Sequence, residues 1–122
     1  LMAMSHLALI HQQMGDVRAS LPLSREVTRL ALEKYGVKSW LYHMTLNNLG
    51  LAASRAGEIH EAFACIAMAR ELRLRYLPAG HPLQAYGASN LADLYKMFGD
   101  YRLALPLEKE ALAEMQRHVD RY

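Results

Sequence analysis

The residues that could carry out chemistry are few and poorly spaced for it. His60-Glu61 begins like a zinc-protease helix, but that motif needs a second histidine where Ala64 stands. The six histidines are scattered without ligand spacing. Cys65, the single cysteine, sits among Ala64, Ile66 and Ala67 and reads as a small core residue rather than a nucleophile. No Gly-rich phosphate loop and no nucleophile elbow occurs. Arg70-Glu71-Leu72-Arg73-Leu74-Arg75 is basic, but cations suit the last turns of a helix, so it reads as a solvated helix end. The polar residues that stand out are asparagines. Asn48 and Asn90 lie in helical patterns although asparagine is a mediocre helix former. The amide offers a donor and an acceptor together, which matches a peptide bond in an extended ligand. These residues point to binding, not turnover: no enzyme, no metal and no cofactor is expected.

Composition bounds the partners. In 122 residues, 52% hydrophobic and 21% charged content fits an ordered chain rather than a disordered one. Only four prolines occur, and good helix formers dominate. A net charge of +2, evenly mixed, argues against nucleic acid or an anionic membrane as partner. No apolar run approaches the roughly 18 residues that span a bilayer, and no secretory pattern opens the chain. One cysteine rules out an internal disulfide framework, so a cytoplasmic, reducing setting is expected.

The asparagines belong to a repeat. Gly15, Gly57 and Gly99 stand 42 residues apart, each followed by an acid (Asp16, Glu58, Asp100) and then an apolar residue (Val17, Ile59, Tyr101). Eight residues before each glycine is leucine (Leu7, Leu49, Leu91), followed by a small residue (Ala8, Gly50, Ala92). Five after it come Ser20, Ala62 and Ala104; twelve after it, Val27, Ala69 and Ala111. The phrase is a helical hairpin. Glycine ends the first helix in the left-handed conformation, the acid caps the second, and small residues let the two backbones approach.

With Asn47-Asn48-Leu49-Gly50, Ser89-Asn90-Leu91-Ala92-Asp93-Leu94-Tyr95, the Gly-acid turns and Gly80-His81-Pro82, the chain resembles the tetratricopeptide repeat family. More narrowly, it is similar to the 42-residue version in kinesin light chains and many bacterial signalling proteins. The resemblance implies an all-α fold: three tandem helix-turn-helix repeats in a right-handed α-solenoid, over about 1–38, 39–80 and 81–122. A single array is expected, as a fragment of a longer protein.

The pattern places helices at about Met2 to Met14, Val17 to Tyr35, Trp40 to Ala56, Ile59 to Tyr76, Pro82 to Phe98, and from Tyr101 towards His118. Pro22 and Pro106 fall inside the second helix of their repeats. Helices that continue through them are expected, with a mild bend. Leu105, Leu112, Met115 and Val119 have no following repeat to cover them, so more repeats or end-to-end self-association through the last helix is expected, unless Arg117 and Arg121 cover enough of that face.

In the family it resembles, the first helices of the repeats line a concave groove, and asparagines there hold the ligand backbone. Residues three and four apart share a helix face. The groove set is then Asn48 and Asn90, with His6 as their counterpart, for backbone hydrogen bonds. Met44, Leu51 and Tyr86 supply apolar pockets, and Arg55, Asp93 and Lys96 supply polar selectivity. The other reading of the asparagines is that they tie neighbouring helices together. A clamp for acidic chaperone C-termini is disfavoured: Asn48 fits it, but Ser5, Leu9, Tyr86 and Asn90 occupy most of its other places. The expected function is a scaffold that binds a protein or peptide partner in this groove, with micromolar affinity, on the order of −8 kcal/mol. The alternative is a spacer or regulatory segment of a larger signalling protein, its groove or end face filled by its own chain or another subunit.

Overall fold

Backbone hydrogen bonds at the glycine turns set the architecture. In a computed structural model, which describes residues 2–78 and 82–121, the order is α1 (Met2–Gln13), α2 (Val17–Tyr35), α3 (Trp40–Arg55), α4 (Ile59–Tyr76), α5 (Pro82–Met97) and α6 (Tyr101–Arg121). Each repeat is one hairpin: α1–α2, α3–α4, α5–α6. Gly15, Gly57 and Gly99 all take positive φ, at 79°, 82° and 74°. The following acid's N–H then reaches back to a carbonyl five residues earlier. Asp16 N–H donates to His11 O at 2.8 Å, Glu58 to Ala53 O at 2.8 Å, and Asp100 to Tyr95 O at 2.9 Å. This closure satisfies carbonyls that a helix end leaves unpaired.

The acid's side chain then starts the next helix in two of the three turns. Asp16 Oδ1 accepts from Ala19 N–H at 3.2 Å, and Asp100 Oδ1 from Leu103 N–H at 3.3 Å. Glu58 makes no such cap, contrary to the expectation from its place. Its extra methylene carries the carboxylate past the amides that the shorter aspartate reaches. Ser39 caps α3, accepting from Leu41 N–H at 3.2 Å.

Both internal prolines lie within continuous helices. Pro22 and Pro106 are exposed, as are Arg18 and Arg102, whose carbonyls lose their usual donor. Water can pair those carbonyls on the outer face.

Helices α1, α3 and α5 form one row and α2, α4 and α6 the other. Side chains join the second row across repeats: Arg25 to Glu61 in a two-pronged pair at 2.8 and 3.0 Å, and Arg70 to Glu110 at 2.5 and 2.7 Å. The small repeat residues are where the rows meet. Ser20, Ala62 and Ala69 are 0% exposed, and Ala92 is also fully enclosed. One core cluster runs through all three repeats: Leu21 from α2, Leu49, Ala52 and Ala53 from α3, Ala62 and Ile66 from α4, Leu91 and Leu94 from α5. A second joins Ala31, Tyr42, Leu46, Ala69 and Leu72. Beside it, His43 is fully buried, shares a hydrogen bond of 2.7 Å between Nε2 and Val37 O, and stacks on Tyr76. That contact holds the loop between the first two repeats against α3.

Candidate functional site

The row of α1, α3 and α5 holds every residue expected in the groove. Its central helix, α3, is enclosed on nearly all sides. After Trp40 at its start, only Asn48 and Arg55 are exposed; Met44, Leu51 and Ser54 beside them are half-buried. Sheathing by α2, α4 and α5 removes the rest of the helix from water, so α3 meets solvent through one narrow strip. That strip carries an amide and a guanidinium between two apolar side chains. Leu51 also packs against the larger core cluster, which fixes the floor of the strip.

On α5, Asp93 and Lys96 are exposed and Asn90 is half-buried. On α1, His6 is exposed. The side chain of Tyr86 lies outside the described residues, as do Gly80 and His81.

Some of these side chains engage one another. Asn90 Nδ2 donates to Asn47 Oδ1 at 3.1 Å, and Asn47 is 7% exposed. The second repeat is thus tied to the third through two amides. Lower on the same face, Ser54 Oγ lies 3.5 Å from Met97 Sδ. Lys96 sits 3.2 Å from Asp93 and 3.2 Å from Glu108 of α6. Hydrogen bonds to these two carboxylates, Asp93 first, raise the Lys96 pKa above its ordinary value. Glu108 was not among the expected residues: it comes from the other row, so no spacing along α5 reveals it. Asn48 and Arg55 remain as the polar groups of the strip that face solvent.

Among the described residues no group of three His, Cys, Asp or Glu side chains is placed to hold a metal ion. Burial, with the Glu61 carboxylate nearby, pushes the Cys65 thiol up to about 11, against a smaller opposing pull from Arg25. The thiol is therefore protonated at neutral pH. Among the described residues no helix is long and apolar enough to cross a membrane.

Comparison with known proteins agrees with this architecture. Two family profiles described as tetratricopeptide repeat match, one over residues 41–116 and one over residues 1–40. No curated protein matches the sequence. Among solved structures, the nearly identical TPR-like repeats of a putative kinesin light chain from Podosopora anserina superpose with a TM-score of 0.86 at 21% identity, over 95% of this chain and 55% of that one. BtubC (BKLC) from P. vanneervenii superposes with a TM-score of 0.83 at 19% identity, over 98% of this chain and 47% of that one. The chain thus spans about half the length of the solved structures it matches.

Proposed function

This chain belongs to the tetratricopeptide repeat family, and on that footing we propose that it holds an extended segment of a partner protein along the face of α1, α3 and α5. A repeat module for protein interaction is the coarse reading; the groove is the finer one. One observation carries it. The central helix is buried except for a strip, and on that strip stand Asn48 and Arg55, flanked by Met44 and Leu51. A helix enclosed this far gains nothing in stability from an exposed asparagine, so the amide is better explained by a ligand's backbone. Asn90, with His6 further along, extends the row of hydrogen-bonding groups, and the Asp93–Lys96 pair supplies charge. Tyr86 belongs to the same proposed set. Binding is without catalysis, in the cytoplasm, and in the micromolar range.

The test is selection from a displayed library of peptides against the wild-type chain, followed by binding to variants of equal helix content. Peptides held by the wild type and lost by an Asn48→Ala, Asn90→Ala double variant support the groove. An Asn47→Ala variant separates the two roles of asparagine, since it breaks the tie between repeats and leaves Asn48 in place. Loss of binding in Asn47→Ala alone, with Asn48→Ala binding normally, would make the asparagines structural and place the ligand elsewhere.

The second reading, a structural segment in a larger assembly, is favoured by the apolar side of α6. Leu105, Leu112, Met115 and Val119 are all more than half exposed.

A further inference from the structure

The first helix of each repeat ends on an exposed residue, two before the turn glycine: Gln13, Arg55 and Met97. Two of the three are polar. The third is a methionine, 60% exposed. Met14, Met68 and Met115 are also more than half exposed. Among the described residues, however, only the sulfur of Met97 has a hydrogen-bond donor: Ser54 Oγ, 3.5 Å away on α3. Ser54 is half-buried and belongs to the neighbouring repeat. The contact therefore joins the second repeat to the third, on the face that carries Asn48 and Arg55.

A thioether sulfur is a weak acceptor, so the hydroxyl gains little from it. The same sulfur, open to solvent, keeps a lone pair for an electrophilic oxygen. With a hydroperoxide, the outer oxygen bonds to Sδ and the O–O bond breaks. The proton of the transferred oxygen passes to the leaving one, which departs as water or an alcohol. Sulfur is oxidised by two electrons and the peroxide is reduced by two. The product sulfoxide is polar, and reductases return it to the thioether. Its oxygen is a stronger acceptor than the sulfur, and a donor for it already stands in place. The three flexible torsions of methionine let that oxygen turn to Ser54. A side chain 60% exposed has little packing to lose in the change.

We propose that Met97 is a site of oxidation by hydroperoxides on the face of α1, α3 and α5, and that Ser54 holds its sulfoxide. Oxidation then strengthens the tie between the second and third repeats, whereas oxidation of a packed methionine disrupts its surroundings. It also puts a polar group in place of an apolar side chain at the Arg55 end of the exposed strip. This second effect rests on the reading that the strip holds a partner segment: the oxidised chain then loses its grip on segments with an apolar anchor at that end.

The test treats the chain with hydrogen peroxide and follows each methionine by peptide mass mapping. Every chain is compared with its own untreated form, and Met97→Leu, treated alike, corrects for the other methionines. Oxidation at Met97 is expected to raise the urea midpoint by about 0.3 M, the size of one improved hydrogen bond. The rise is absent in Ser54→Ala and is reversed by a methionine sulfoxide reductase with dithiothreitol. Met97→Gln, whose amide oxygen stands in for the sulfoxide, shows the same rise without peroxide. Peptides selected on the reduced chain bind the oxidised one at least about fivefold more weakly. A midpoint that falls on oxidation overturns the proposal, as does a rise that survives in Ser54→Ala. Peptides that bind alike before and after oxidation, yet are lost in the Asn48→Ala, Asn90→Ala variant, overturn the effect on binding and leave the groove standing. Peptides held equally by that variant and by the oxidised chain overturn the groove reading instead, and the midpoint alone then decides on Ser54.

Discussion

Placing a methyl group on Gly50 asks whether the close approach of α3 and α4 is a requirement or an accident. A Cβ there would lie 2.4 Å from Ile66 Cγ1, 3.1 Å from Ile66 Cδ1 and 3.2 Å from the Ala62 carbonyl oxygen. Ordinary carbon contacts are about 3.5–4.0 Å, so more than about 1 Å of relief is needed. Ile66 is 0% exposed, with no free space to turn into. Overpacking of this kind costs about 1–3 kcal/mol, and a fully enclosed neighbour puts Gly50→Ala in the upper part of that range, about 2–3. Against this stands the gain from replacing glycine inside a helix, about 1 kcal/mol. The net expectation is a loss of about 1–2 kcal/mol, read by urea unfolding followed by far-UV circular dichroism. A double-mutant cycle isolates the cause. Ile66→Ala removes both offending carbons and alone costs about 2–5 kcal/mol. In that background Gly50→Ala should stabilise by about 1 kcal/mol, a coupling of about 2–3 kcal/mol. Ile66→Val keeps a γ-carbon and should keep most of the penalty. A stabilising Gly50→Ala in the wild-type background would refute the reasoning, because helix propensity alone would then describe the site.

Three further outcomes follow from features of single residues. Ser20 is 0% exposed, its hydroxyl has no hydrogen-bond partner, and its equivalents are Ala62 and Ala104; Ser20→Ala should raise unfolding stability by about 1 kcal/mol, and a loss would show that the hydroxyl is paired. Glu58→Asp should restore the missing cap and add about 0.5–1 kcal/mol, with no gain expected at Asp16 or Asp100, where the cap exists. The Cys65 thiol, pushed from near 9 up to about 11, keeps its proton in the folded chain at pH values where the unfolded chain releases it. Stability should therefore fall as pH rises from about 9 to about 11, and Cys65→Ser should flatten that part of the profile. Native-state alkylation at pH 8 as fast as that of a free thiol would contradict the protonated state.

The parts of this fold that were legible in the sequence are those written locally. The starts of the five helices after α1 agree with the reading, because each is marked by a glycine-acid turn, by Ser39 or by Pro82. The absent cap at Glu58 was not legible, since an acid after the turn glycine looks equivalent to Asp16 and Asp100 until its reach is measured. At the candidate site, spacing by three and four put Asn48, Arg55, Met44 and Leu51 on one face, and that face is the exposed strip of α3. The partners of Asn90 and Lys96 were harder to foresee. Asn47 and Glu108 come from a neighbouring repeat and from the other helix row, and no periodicity within one helix encodes such a meeting. Leu7 matches Leu49 and Leu91 in the repeat, yet it is 46% exposed where they are 6% and 9%.

The core cluster that threads all three repeats also bears on how the array comes apart. In a stack whose repeats touch only through small interfaces, end repeats open alone and the rest survives. Here Ile66 shares one enclosed cluster with Leu21 of the first repeat and Leu91 and Leu94 of the third. Opening either outer hairpin strips part of the cover from α3 and α4, so the cost of partial opening approaches that of opening the whole. Amide hydrogen exchange should then show the slowest protons in α3 and α4, exchanging only through global unfolding, with faster exchange toward α1 and the far half of α6. A partner lying along the exposed strip of α3 would rest on the least yielding helix of the array.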